Sequence, residues 1–223
     1  MRKNKKCLIW VVMGMMLTAS ISASARAAEG TSTLPARIIL PDPQTTGGPA
    51  LLDALAQRKS ERAFADTELS LEDLSTLLWV TAGINRDDGH FTYPTHSNRQ
   101  DMILYLAVRS GTFRYDPKAN SLEPVAGGDQ RARTGSAPFV KQAAVNLIFV
   151  QDVERWAEDR RHLAPIYGPM HAGLMMQSAG LYAASRNWAC LIRAGFDAGE
   201  VTNLLQLPES QKPIITQSIG PRP

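Results

Sequence analysis

YGPMHAGLMMQSAGLYAASRNW, residues 167–188, is the stretch that decides the architecture, and ACLI, residues 189–192, follows it directly. Ala172, Gly173, Leu174, Met175, Met176, Ala179, Gly180, Leu181, Ala183 and Ala184 spread small and apolar side chains almost all round a helix. A helix of that kind is buried on most sides, in a core or against a partner helix. Pro169 falls in its first turn, where a missing N–H costs little. Ala189 to Ile192 reads as a short strand. Beyond it Asp197 with Glu200 caps a helix through Val201, Leu204 and Leu205, and Ile214 to Ile219 is a last strand.

Upstream, Leu51, Leu52, Leu55 and Ala56 have helical spacing. Ser70-Leu-Glu-Asp is a capping box that opens a second helix through Leu71, Leu74, Leu77, Leu78 and Trp79, with Gly83 as its stop. Met102 to Val108 is an apolar run of strand length. Thr112–Tyr115 and Ser121–Val125 flank Asp116-Pro-Lys-Ala-Asn as a hairpin. Ala144 to Val150 is a continuous apolar strand, the pattern of a central position covered on both faces. Helices and strands in this order predict an α+β domain over residues 50–223, a central mixed sheet flanked by helices.

The N-terminus has a different character. Arg2, Lys3, Lys5 and Lys6 precede an apolar stretch from Cys7 to about Leu17, and small residues lead to Ala25-Arg26-Ala27. Basic region, short apolar core and A-x-A site are the parts of a secretory signal over residues 1–27, which predicts a periplasmic or secreted protein. The apolar run is shorter than the ~20 residues that span a bilayer. Residues 1–27 carry five basic and no acidic side chains, so their removal turns the formal +3 into −2 over 196 residues. The basicity belongs to the targeting segment, and neither nucleic acid nor a membrane surface is implied as a partner. Residues 28–49, rich in Pro, Gly and Thr, read as an extended arm, either loose or laid across another surface.

Familiar catalytic templates are missing. His90, His96, His162 and His171 have no metal-ligand spacing, and no metal site is expected. There is no G-x-G-x-x-G and no Walker A sequence, and Ser178 in QSAG lacks the first glycine of a nucleophile elbow. Cys190 reads as a small buried hydrophobe.

Three segments are more informative. In Arg58-Lys-Ser-Glu-Arg-Ala-Phe64, alternation in an extended chain sends Arg58, Ser60 and Arg62 to one side. Two guanidinium forks beside a hydroxyl suit a phosphate, although a solvated charged loop has the same composition. The second segment is Pro94-Thr-His-Ser-Asn-Arg-Gln100, just before a strand. The third, Cys190-Leu-Ile-Arg-Ala-Gly-Phe196, follows the long helix, and Ala194-Gly195 allows close approach to the backbone.

In order and spacing the three segments resemble the nitroreductase family. Its R-x-S-x-R/K-x-F pattern is matched by Arg58, Ser60, Arg62 and Phe64, its P-S/T-x-x-N-x-Q pattern by Pro94, Thr95, Asn98 and Gln100, and its C-P-I-x-G-F-like turn by Cys190, Ile192, Gly195 and Phe196. The LSLEDLSTLLW helix and YDPKANSLEPV hairpin look closest to the short branch that includes the thiazoline/oxazoline dehydrogenases. The resemblance implies an FMN-dependent oxidoreductase working by ping-pong electron transfer, an intertwined homodimer with the long helix in its interface. It implies a small-molecule substrate, with NAD(P)H or another electron donor. Arg58, Ser60 and Arg62, joined by Arg222, would hold the cofactor phosphate. Pro94, Thr95 and His96 would lie along the isoalloxazine, with Asn98 and Gln100 supporting the loop or ring. The backbone N–H of Arg193 would face flavin N5, with Ile192 and Ala194 beside it. The flavin would carry the chemistry, which leaves no catalytic side chain to find. His96 and Arg193 depart from the common family residues, and a flavin-binding module without turnover is the alternative that this departure raises.

Overall fold

The Ser70 hydroxyl accepts a hydrogen bond from the Asp73 N–H at 3.1 Å, so the N-cap half of the box forms and opens α2, Leu71–Ala82, while the Asp73 carboxylate accepts from Arg186 Nη2 at 2.7 Å. The computed structural model describes residues 34–223, and the export signal read over residues 1–27 lies outside them. The chain runs β1 (Ile38–Ile39), α1 (Leu51–Gln57), α2, β2 (Met102–Val108), β3 (Gly111–Asp116), β4 (Ser121–Gly127) and β5 (Val145–Asp152). It continues with α3 (Ala164–Ser185), β6 (Trp188–Arg193), α4 (Ala198–Leu205) and β7 (Gln211–Pro221). Short 3-10 turns join several of these elements.

One seven-stranded sheet has the order β1-β4-β3-β2-β5-β7-β6. The α+β reading and the central sheet flanked by helices hold. The strand directions are sharpened, because every pairing is antiparallel where a mixed sheet was expected. Each return is a hairpin or a connection that brings the chain back beside a strand running the other way. Pro124 and Pro213 sit where the ladders shift register, the positions at which a strand tolerates a residue without an N–H.

β5 is buried along seven of its eight residues, as its unbroken apolar run required. Leu147 and Phe149 face α2 and α3 with Leu77, Leu78, Met175 and Ala179, while Ile148 and Val150 face α4 with Val201, Leu204 and Leu205. α3 begins three residues before the expected start and ends before Trp188, because Asn187 turns left-handed (φ 56°) and releases the chain into β6. Its sheet-facing side is buried. Ile166, Met170 and Leu174 form an exposed stripe one helical turn apart. α1 lies against α3 and also exposes Leu51, Leu52 and Leu55.

From residue 34 the arm is laid on its own domain. Ile38 and Ile39 pair with the outer edge of β4, and Leu40 is buried. The Ser75 hydroxyl donates to the Pro41 carbonyl at 2.6 Å, and the Gln44 N–H to Thr76 Oγ1 at 3.0 Å.

Candidate functional site

Arg58–Phe64 runs extended beside β6, tied by the Glu61 N–H to the Cys190 carbonyl at 3.0 Å. The Ala65 N–H reaches the Pro221 carbonyl at 2.9 Å. The first and third segments are therefore neighbours. Arg58, Ser60 and Arg62 are exposed, as are Lys59 and Ala63, while Glu61 is partly buried and Phe64 is buried, so the segment does not follow a strict in–out alternation. Among the described residues neither Arg58 nor Arg62 has an acidic partner, and Ser60 makes no side-chain hydrogen bond. Arg222 is committed differently. Its Nε and Nη2 donate to Glu61 Oε2 at 2.8 and 2.7 Å, and Nη1 reaches Asn187. Burial would raise the Glu61 carboxyl, but the bonds from Arg222 and Lys59 outweigh it and hold the group below its ordinary value.

On β6 the side chains alternate as a strand requires. Cys190 points toward α3 and takes a hydrogen bond from Gln217 Nε2 at 3.1 Å. Burial pushes its thiol up, against that bond and the charge of Arg58, so the group stays an inert thiol. Ile192 is half exposed on the same face, and Ala194 and Gly195 are exposed. Arg193 goes the other way and is buried. Its Nε donates to Ser218 Oγ at 2.9 Å, Nη1 to the Thr134 carbonyl at 3.0 Å and Nη2 to Asn146 Oδ1 at 3.2 Å. A Cβ at Gly135 would collide with Nη1, so that position keeps the space open for the guanidinium. All three acceptors are neutral, and desolvation lowers Arg193 to about 10. A buried cation without a carboxylate is unusual.

The second segment hangs from the first half of α3. Pro94 and Asn98 are exposed, Thr95, His96 and Gln100 half buried. The Gln100 N–H donates to Thr95 Oγ1 at 3.0 Å, and Gln100 Nε2 to the Gly89 carbonyl at 2.9 Å. The His96 ring stacks on Trp156 (centroids 5.6 Å apart, 5° between planes) and against Tyr167 at 4.4 Å. Its backbone N–H donates to His171 Nε2 at 2.9 Å, and His171 Nδ1 meets Asp101 Oδ1 at 2.7 Å. Asp101 Oδ2 accepts from Trp156 Nε1 and Gln151 Nε2, both at 2.8 Å. Burial would raise the Asp101 carboxyl, but bonds from His171, Gln151 and Trp156 prevail and hold it below the ordinary carboxylate value. No hydrogen bond or ion pair joins residues 94–100 to residues 58–62 or 192–194 within one chain, among the described residues.

This fold and these segments have relatives. The family model described as the nitroreductase family matches residues 55–221. The chain belongs to the nitroreductase family. A crystal structure from Ralstonia eutropha bearing that family's name superposes with a TM-score of 0.79 at 34% identity, covering 84% of this chain and 90% of that one. A Methanocaldococcus jannaschii protein that carries the same name is 24% identical over 180 residues, 76% of this chain and 90% of its own. The fold also matches the Escherichia coli microcin synthetase McbBCD complex, solved with truncated pro-microcin B17 bound, at a TM-score of 0.62 and 19% identity, over 92% of this chain and 84% of that one. Membership makes the chain an oxidoreductase of the nitroreductase type.

In this nitroreductase the group that sequence reasoning passed over is the buried cluster of Asp101, His171, Gln151 and Trp156. An acid placed directly before the unbroken apolar run Met102–Val108 was its one local signal, since a buried carboxylate needs donors. The donors come from β5, the turn after it and α3, and no spacing rule links those positions. Gly168 is part of the same construction. A Cβ there would strike the Gln151 side-chain amide, so the glycine lets that amide pass beneath α3.

Proposed function

We propose that this nitroreductase binds FMN and works as a homodimer, transferring electrons by a ping-pong route between a donor and a small organic acceptor. The observation that carries the reading is the exposed row Arg58, Ser60 and Arg62, two guanidinium groups without acidic partners and a hydroxyl beside β6. That donor set fits a phosphate, which takes charge-assisted, bidentate bonds. Arg222 is held by Glu61, so Arg58 and Arg62 would supply the cationic contacts. When bound, FMN supplies the hydride chemistry, and the protein's part is to orient it and set its electrostatic surroundings.

Pro94, Thr95 and His96 would line the ring, with Asn98 and Gln100 supporting that wall, and Ile192, Arg193 and Ala194 would form the backbone edge. The uncompensated charge of Arg193 raises the local potential at that edge and favours an electron-rich partner there. The second segment has no bond to the other two within one chain, and α3 exposes Ile166, Met170 and Leu174. Both observations support a site completed by a second copy packed along α3.

We also propose that the protein acts outside the cytoplasm, on the strength of the signal pattern in residues 1–27. NAD(P)H is a cytoplasmic reductant, so the pairing of export with this family points to a different physiological donor. The test is a visible spectrum of protein purified from its native compartment. Flavin absorption that bleaches with a reductant and returns with a quinone or nitroaromatic acceptor is the expected result. A colourless protein that takes up no added FMN refutes the reading, and a yellow one indifferent to every reductant refutes turnover.

A further inference from the structure

Three residues of the second segment hold backbone conformations that side chains with a Cβ avoid. Ser97, Asn98 and Gln100 have φ of 49°, 51° and 51°, and none is glycine. Such a run persists only where its surroundings over-determine it, and it concentrates at sites of function. Most of its bonds are local: Asn98 N–H to the Thr95 carbonyl, Arg99 N–H to the His96 carbonyl, Gln100 N–H to Thr95 Oγ1, and Gln100 Nε2 to Gly89. Among the described residues one hydrogen bond ties residues 94–100 to a helix, and it is His96 N–H to His171 Nε2.

That bond fixes more than a distance. A backbone amide can only donate, so Nε2 of His171 must present its lone pair, and the ring proton must sit on Nδ1. Nδ1–H then donates to Asp101 Oδ1. Asp101 has no exposure, and Trp156 and Gln151 fill its other oxygen. The direction of every bond is set: carboxylate, imidazole Nδ1–H, imidazole Nε2, His96 N–H. The Gln151 Nε2 amide also donates to the Ala164 carbonyl at 2.9 Å, which locks the chain of bonds to the first turn of α3.

We propose that Asp101 and His171 are positioning residues for the cofactor-facing wall: they hold the segment with left-handed Ser97, Asn98 and Gln100 and set the place of the His96 ring between Trp156 and Tyr167. The assignment rests on the proposed use of Pro94–His96 against a flavin, and its structural half can be measured without one.

The variants follow from the geometry. His171→Asn keeps an amide at the level of Nδ1 and loses the group at Nε2, whereas His171→Gln restores an acceptor there and loses the bond to Asp101. In Asp101→Asn, the amide NH2 must face either His171, which reverses the imidazole tautomer and sets Nε2–H against His96 N–H, or the two donors on the other side.

Hydrogen exchange of the folded full chain reads the latch directly. His171→Asn and Asp101→Asn should speed exchange of the His96 amide and its neighbours through Gln100 by about tenfold or more, the worth of one such bond. His171→Gln should keep most of the protection. FMN titration of the same proteins, followed by visible circular dichroism, should show a changed flavin signal in the first two and a near-native one in the third. Unchanged exchange in His171→Asn and Asp101→Asn overturns the latch. Faster exchange with an unchanged flavin signal overturns its role in positioning. A wild-type chain that binds no FMN removes the cofactor reading, and the exchange result still decides the latch. Should His171→Asn fail to fold, the near-isosteric Asp101→Asn carries the same comparison.

Discussion

Replacing glycine by alanine inside a helix normally stabilises it, by about 1 kcal/mol. Gly168→Ala in α3 should do the reverse. A Cβ at Gly168 would lie 2.6 Å from Gln151 Nε2 and closer still to Oε1 and Cδ, and Gln151 is 2% exposed with nowhere to retreat. Displacing the amide breaks its bonds to Asp101 Oδ2 and the Ala164 carbonyl. The bond to the carboxylate is worth about 1.5–3 kcal/mol and the one to the carbonyl about 1 kcal/mol, and forcing a methyl into a filled site costs about 1–3 kcal/mol. The helix gain is further reduced because Pro169 follows and disfavours helical backbone at the preceding alanine. The net expectation is a loss of about 3–7 kcal/mol, read as a fall of about 1–3 M in the urea midpoint at an unchanged slope. Gly180→Ala is the control. Its Cβ would meet Gln217 Nε2 at 3.7 Å and Cys190 Sγ at 3.9 Å, ordinary contacts, and stability should hold or rise by up to about 1 kcal/mol. A Gly168→Ala protein as stable as wild type would refute the argument that this glycine exists to admit Gln151.

Asp101 predicts a pH dependence. Its carboxyl is held below the ordinary value in the folded chain, so it adds stability above the unfolded carboxylate pKa of about 3.9, and this is lost as pH falls through the folded value. Acid unfolding should be less steep in Asp101→Asn, and identical acid limbs would contradict the assignment. Met170→Glu with Leu174→Glu places two charges on the exposed stripe of α3 and should turn a dimer into a monomer in sedimentation; a dimer that survives both is built on another face. Arg58→Ala with Arg62→Ala should weaken FMN binding by at least tenfold, from the loss of two charge-assisted contacts, and an unchanged titration would remove the phosphate assignment.

Chain-local patterns were legible in advance. The Ser70 N-cap, the apolar runs of β2 and β5 and the Asp116–Asn120 turn depend on neighbours within a few residues, and each forms where the pattern put it. β1 was missed because two residues make a strand only when the edge of β4 lies beside them. α1 formed as read, yet it buries only Ala54 in the chain, because a periodicity reports a face and cannot say what will cover it.

Three short patterns in order were enough to name the family from residues alone, and the fold class followed with it. The sequence also carried the polar row Arg58, Ser60 and Arg62, and all three are exposed beside β6. Only the tertiary structure decided which cations stay uncommitted: Arg222 meets Glu61 across 161 residues, and Arg193 turns into the space left by Gly135. It alone assembled Asp101 with His171, 70 residues apart, under the loop that carries His96. Local chemistry fixes how each segment is shaped, whereas the partner of a buried charge is fixed by which segments the core brings together.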